Sequence, residues 1–354
     1  MDSLSQIALG AAVGIAVMGR RTPLARAALW GAVCGTLPDL DALIDHGDVV
    51  RNMTLHRAES HALFWLTLAA PFLAAGIARF HREWALFRRW WLAVWLVLIT
   101  HPLLDTMTVY GTQLALPFTN HPYGVGSIFI IDPLYTLPLI AGVCVALRRR
   151  DARGLRWNHA GLALSTLYLV WGVIAQQWVR TTAEDALRAQ GESVQGLLVT
   201  PTAFNSVLWR IVVVTPDAYL EGFRSLFDGD APLHFDRFER GTVLYEPLRA
   251  HDPVARVSAF SHGFFELHER DGVVGIGDLR MGQAPYFYFT FAVAERDGDG
   301  VLHPIAPRSI GARPPIGPGL RWLWQRIWDA GPIPPREMER TGEVTTVPPA
   351  PATP

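Results

Sequence analysis

The 354-residue sequence contains no lysine: all 31 of its basic residues are arginine. That absence excludes Schiff-base chemistry and any phosphate loop that depends on a lysine. There are only two cysteines, Cys34 and Cys144, and both lie in apolar stretches. A thiol in such a place acts as a small hydrophobe rather than as half of a disulfide framework. Charge is scarce as well, at 18% of residues, and a net value of −1 implies no general attraction to nucleic acid. Neither a Gly-x-Ser-x-Gly elbow nor a His-Glu-x-x-His pair occurs, so serine hydrolases and zincin-type proteases lack support.

What is abundant is apolar. Half of the residues are hydrophobic, mean hydropathy is +0.20, and thirteen tryptophans include Trp90, Trp91 and Trp95. Indoles of this kind gather at lipid headgroups, although a soluble core uses them too. Apolar stretches run over Leu4–Met18, Ala25–Ile44, Ala62–Ile77, Trp90–Leu104, Ile128–Leu147 and Ala160–Val179. Several fall short of the roughly 20 residues that span a bilayer unaided. Gly10, Gly14, Gly31 and Gly35 predict that the first two form a closely packed hairpin. A cleavable signal peptide is disfavoured, because Met1-Asp2-Ser3 lacks a basic start.

Arginines supply an orientation. Arg20, Arg21 and Arg26 follow the first stretch, Arg79, Arg82, Arg88 and Arg89 the third, and Arg148 to Arg156 the fifth, which makes those turns cytoplasmic. The expected architecture is an all-α polytopic membrane domain over 1–180, with about five to six transmembrane or re-entrant helices. A β-rich soluble domain over 181–303 follows on the non-cytoplasmic side, then a proline-rich segment over 304–354 with Pro348–Pro354 disordered. Strands are predicted at Val207–Thr215, Tyr219–Phe227, Val257–His268 and Tyr286–Ala294, and a charged helical stretch at Thr182–Gln190.

Three polar clusters interrupt the apolar half: Asp39 and Asp41 in PDLD, His56 and His61 in HRAESH, and His101 and Asp105 in THPLLD. Imidazoles and carboxylates together are the donors of a hydrolytic divalent-metal centre, and lipid makes such groups costly to keep without a partner. Taken singly, each has a plainer reading: PDLD as a helix stop and cap, His56 or His101 as a hydrogen-bonded structural histidine, Asp105 as a cap. Their coincidence on one predicted face favours the metal. His101 and Asp105, four apart, face the same way on an unbroken helix, whereas His56 and His61, five apart, do not.

The segments MDSLSQIALGAAVG, GTLPDLDALI, LHRAESHALFW, LITHPLLDTMTVYGTQLALPF and SIFIIDPLYTLPL resemble the YdjM-like family of membrane-bound metal-dependent hydrolases. The resemblance is strong over Met1 to Arg180, and NSVLWRIVV, FSHGFF and DLR look like the C-terminal extension of one branch. It implies that Asp39, Asp41, His56, His61, His101 and Asp105 bind metal, and it implies a relation to the zinc phospholipase C and P1 nuclease group. Gln6 stands where many relatives carry a histidine, and Ala58-Glu59-Ser60-His61 replaces a frequent Gly-x-Thr-His.

The expected function is therefore that of an inner-membrane hydrolase. Zn²⁺ would acidify a water for attack on an ester or phosphodiester of a lipid or other amphiphile. Glu59, or whichever aspartate is not a ligand, is the expected proton acceptor, and Arg57 is expected to meet an anionic oxygen or to fix a ligand aspartate. His121, Asp132 and Tyr135 are candidates for the rim of the site, with Asp132-Pro133 equally a turn and cap. A catalytically silent scaffold with a structural metal and an intramembrane metalloprotease are the rivals.

Overall fold

A computed structural model describes residues 1–312, 316–334, 337–338 and 344–345. The expected disorder at Pro348–Pro354 lies outside these. Seven helices come first: α1 (Ser3–Met18), α2 (Leu24–Thr36), α3 (Val49–Leu55), α4 (Leu63–Phe80), α5 (Phe87–Thr106), α6 (Pro133–Arg149) and α7 (Ala152–Gln190). The chain forms two compact units, one made mainly of residues up to Ile174 and one made mainly of the remainder, with α7 continuing from the first into the second.

In the first unit Asp2 caps α1, accepting from the amides of Leu4 and Ser5 at 3.0 and 3.1 Å. The predicted hairpin of α1 and α2 is present, and its backbones touch. A Cβ added at Gly10 would stand 2.3 Å from the Gly31 carbonyl oxygen, and one at Gly31 2.1 Å from that of Gly10. Only hydrogen fits at either position. Ile15, Met18, Ala27, Trp90, Leu98 and Leu139 fill the core around this seam.

Two described helices, α4 and α7, are long and apolar enough to cross a membrane. Only 28% of each apolar window is buried within the protein, which sets them apart from the core helix of a soluble domain. On α7 the exposed residues Leu164, Leu167, Val170, Trp171 and Ile174 form an outward apolar face. Such a face needs a nonaqueous neighbour.

Helix α2 is shorter than the expected second stretch, ending at Thr36 instead of continuing to Ile44. Pro38 has no N–H to continue the α-helical ladder, so the chain tightens into a 3₁₀ turn over Pro38–Leu43. The PDLD cluster thus sits on a turn beyond the helix. The expected helical stretch at Thr182–Gln190 is the end of α7, continuous with the sixth apolar stretch.

The second unit contains two antiparallel four-stranded sheets. The first has the order β1 (Gly196–Pro201), β2 (Leu208–Val214), β3 (Ala218–Ser225), β4 (Phe235–Glu239). Ala175, Val179, Ala183 and Leu187, four apart along α7, pack on one face of it against Trp209, Ile211 and Val213. Helices α8 (Thr242–Leu248) and α9 (Asp252–Phe260) follow, then β5 (Phe265–Arg270), β6 (Val273–Asp278), the short pair β7 (Gly282–Gln283) and β8 (Tyr286–Phe287), β9 (Thr290–Arg296) and β10 (Leu302–Ser309). The second sheet runs β10-β9-β6-β5, and Pro304 and Pro307 are accommodated on its edge strand. The helix α10 (Ile316–Trp328) packs Trp322 against Leu208 and Phe223.

The expected strand over Val257–His268 is corrected: its first part is the end of α9 and only its last residues enter β5. Asp252-Pro253 starts a helix whose buried residues Pro253, Val254, Val257 and Phe260 follow a spacing of three to four. Tyr286–Ala294 is likewise divided between β8 and β9.

Candidate metal centre

The three polar clusters converge within the first unit. Asp39 comes from the 3₁₀ turn after α2, His61 ends a second 3₁₀ turn (Glu59–His61) just before α4, and His101 and Asp105 lie one turn apart on α5. One ligand atom from each of these four residues lies within 4.8 Å of the others. His61 Nε2 is 3.1 Å from His101 Nε2, 3.2 Å from Asp105 Oδ2 and 3.5 Å from Asp39 Oδ1. His101 Nε2 is 3.3 Å from Asp39 Oδ1 and 3.5 Å from Asp105 Oδ2. A tetrahedral ion bound at about 2.0–2.1 Å holds its donor atoms about 3.3–3.4 Å apart. Five of the six edges of the cluster, 3.1 to 3.5 Å, lie close to that figure, and the sixth, between the two carboxylates, is within 4.8 Å.

The hydrogen bonds behind the imidazoles fix which nitrogen is free. His101 Nδ1 is 2.7 Å from the carbonyl oxygen of Gly35, an acceptor only, so Nδ1 carries the proton. His61 Nδ1 is 2.8 Å from Ser60 Oγ, and that hydroxyl donates to Asp41 Oδ2 at 2.6 Å, so His61 Nδ1 is a donor too. Each neutral ring then turns a lone pair toward the other across 3.1 Å, beside two carboxylate oxygens. Four electron-pair donors facing one another call for a cation at their centre. Asp105 Oδ2 has no hydrogen-bond partner in its buried position, which leaves it open to an ion. The donor set fits a divalent metal.

Asp41 and His56 stand directly behind this set instead of within it. His56 Nδ1 is 2.9 Å from Asp41 Oδ1, and Asp41 Oδ2 accepts the Arg57 amide at 2.9 Å as well as the Ser60 hydroxyl. Asp39 and Asp41, two apart on a turn of three residues, point about 120° apart, which separates their roles. Arg57 adopts a left-handed backbone (φ 65), and its Nε lies 3.4 Å from Asp105 Oδ2, a charge contact without hydrogen-bond geometry. Its guanidinium also lies over the Tyr110 ring. Glu59 is exposed at the start of its turn. Asp132 caps α6, accepting the Leu134 amide at 3.0 Å and the Tyr168 hydroxyl at 2.8 Å.

Several functional groups carry no motif. Gln6, buried on α1, donates to Asp105 Oδ1 at 3.0 Å and to the His101 carbonyl at 3.2 Å. The amino group of Met1 contacts the same Oδ1. Both hold Asp105 so that Oδ2 turns to the imidazoles. A glutamine in an apolar helix was a signal for Gln6, and adjacency to His61 was one for Ser60; the Gly35 carbonyl had none.

Burial opposes ionisation of Asp39, but the imidazoles of His101 and His61 beside it outweigh that cost and hold the carboxyl below the usual range. Asp41 is likewise buried, yet His56 and Ser60 bring it down to about 2. Burial would lower His61, but the adjacent carboxylates of Asp105 and Asp39 favour its protonated form and raise it above its ordinary value in the metal-free protein. The cluster attracts positive charge, whether protons or an ion. His61, His101 and Asp105 are fully buried, while the Asp39 side chain is 21% exposed and marks the solvent side.

These features define a class: a helical protein with apolar outward faces and a His/Asp cluster, able to hold a metal ion, at its helix ends. The chain belongs to the YdjM inner membrane protein family, whose profile matches residues 1–179. It is 25% identical over 278 residues to the uncharacterized protein YfhP of Bacillus subtilis (strain 168), a match covering 74% of this chain and 80% of that protein. No solved structure matches.

Proposed function

We propose that the chain is a multi-pass inner-membrane hydrolase that uses a divalent metal, best fitted by Zn²⁺, on an ester or phosphodiester of a lipid or another amphiphile. The observation that carries this reading is the pair of imidazole nitrogens 3.1 Å apart, with a carboxylate oxygen of Asp39 and one of Asp105 gathered within 4.8 Å. Asp39, His61, His101 and Asp105 hold the ion. When bound, it supplies Lewis acidity and a water acidified toward neutrality. Arg57 and Gln6 orient Asp105, while Ser60 and Asp41 fix the tautomer of His61. Glu59, exposed two residues before His61, takes the proton of the attacking water.

In this reading the remaining apolar helices complete five to six crossings or re-entrant passes, and the β-rich unit faces away from the cytoplasm. The arginine-rich turns support that orientation. The relation to the zinc phospholipase C and P1 nuclease group belongs to this proposal and rests on shared donor chemistry. A second reading, a silent scaffold with a structural metal, is favoured by one observation: the cluster already offers four protein donors, the number a structural site uses.

Elemental analysis of detergent-purified wild type, His61→Ala and His101→Ala, beside turnover of nitrophenyl esters, a phosphodiester and phospholipids, tests both. The hydrolase predicts about one ion or more per chain and metal-dependent turnover, both lost in the variants. Bound metal without turnover of any substrate supports the scaffold. Equal metal in wild type and variants removes the centre altogether.

A further inference from the structure

Two of the arginine-rich turns share a surface depression. The loop between α1 and α2 contributes Arg20, Arg21, Thr22 and Pro23, the first turn of α2 contributes Leu24 and Ala25, and the residue that ends α6 contributes Arg150. Together they line an open surface depression of about 400 Å³. All three guanidinium-bearing residues are exposed, and no carboxylate pairs with any of them among the described residues. Arg150 Nε is tied to the Leu147 carbonyl at 3.1 Å. Glu83, the acid bound by the same loop, is already occupied: it accepts from Thr22 at 2.8 Å and from Trp90 at 2.9 Å and pairs with Arg26. Three positive charges therefore line a cavity with their counter-charge missing.

The geometry points to a binding site for the phosphodiester headgroup of an anionic phospholipid, held by Arg20, Arg21 and Arg150. Arginine matches phosphate oxygens in a planar fork, and several such forks on one concave surface select phosphate over a neutral headgroup. The depression lies at the ends of the apolar helices α1, α2 and α6, the level at which headgroups meet a membrane protein. Leu24, Ala25 and Pro23 provide an apolar margin for the glycerol and the first acyl carbons. The site stands apart from the His/Asp centre and uses none of its residues. It rests on the membership of this chain in an inner-membrane family and is independent of hydrolase activity.

The test uses the full chain in phosphatidylcholine nanodiscs, titrated with phosphatidylglycerol and, separately, with inorganic phosphate, and read by thermal stabilisation and by lipid retained in native mass spectrometry. Each guanidinium that hydrogen-bonds the phosphate within the depression contributes at least about fivefold in affinity, so Arg20→Gln, Arg21→Gln and Arg150→Gln combined lose roughly a hundredfold for phosphatidylglycerol. A control with equal charge loss in a turn outside the depression, Arg79→Gln, Arg82→Gln and Arg88→Gln, reads the general attraction of basic turns to an anionic surface and is expected to lose at least about tenfold less than the triple variant. If the triple variant fails to fold in phosphatidylcholine, Arg20→Gln and Arg150→Gln singly each show the fivefold loss. Equal loss in test and control variants, or no preference of wild type for phosphatidylglycerol over phosphatidylcholine, overturns the site. Stabilisation by millimolar phosphate that vanishes in the triple variant overturns the lipid assignment in favour of a soluble phosphate.

Discussion

Buried charge is handled in opposite ways in the two units. In the β-rich unit, buried carboxylates meet guanidinium groups directly. Glu221 accepts Arg210 Nε at 2.6 Å, Asp278 accepts Arg280 Nη2 at 2.6 Å, and Asp228 takes both Nη groups of Arg326 at 2.8 Å. In the helical unit Asp39 and Asp105 meet two imidazoles; Asp105 Oδ1 takes Gln6 and the Met1 amino group, while the Arg57 guanidinium approaches Oδ2 without forming a hydrogen bond. A matched Arg–carboxylate pair balances its own charge. A cluster with acceptors in excess is incomplete without a cation, and that difference separates a structural use of charge from a functional one.

The largest expected break in this contrast comes from Glu221→Ala, which strands Arg210 in the interior. A loss of about 3–5 kcal/mol in unfolding free energy is expected. Chemical denaturation of the purified protein measures it, and metal content per folded chain stays at the wild-type level. Loss of metal in this variant would show that the two kinds of site are not separate.

Ser60→Ala tests the centre from behind. Removing the hydroxyl between Asp41 and His61 frees the ring to choose the other tautomer, and metal affinity falls about 10- to 100-fold. Competition with a chelating dye reads this directly. An unchanged affinity would mean that the hydroxyl relay does not orient His61.

The pH dependence is smaller and its sign is fixed by His61. Its raised value means that, without metal, it stabilises the folded state below its ordinary pKa of about 6.5, and that contribution is lost as pH rises through the raised folded value. A metal must displace the same proton. Affinity is therefore expected to fall as pH is lowered from 7.5 to 5.5, by about tenfold per unit for each proton displaced. The gap in melting temperature between loaded and metal-free protein should narrow accordingly. A gap independent of pH would sharpen the contrast differently, by placing the imidazoles outside the coordination.

The clustered residues were legible because polar side chains stand out where lipid or a tight core disfavours them; Asp39, His61, His101 and Asp105 all follow from that. The division of labour among the acids was not legible, since it depends on how a 3₁₀ turn after Pro38 directs Asp39 and Asp41 apart. Backbone acceptors such as the Gly35 carbonyl have no side-chain signature. In the second unit, Val254, Val257 and Phe260 form an apolar run whose short length fits strand and helix alike, and Asp252-Pro253 was the signal that separates them. The pairing of β6 with β9, which passes over β7 and β8, was equally hidden, because pairing partners are set by packing.

The seam between Gly10 and Gly31 has a reach that its lack of side chains conceals. It brings α1 close enough for Gln6 to hold Asp105, and it seats α2 so that Gly35 can anchor His101. On the proposed reading, a random-mutagenesis screen for loss of metal retention would therefore return these two glycines alongside the four clustered residues. A single methyl there acts as a lever, tilting one helix off the other and misaligning two side chains it never touches.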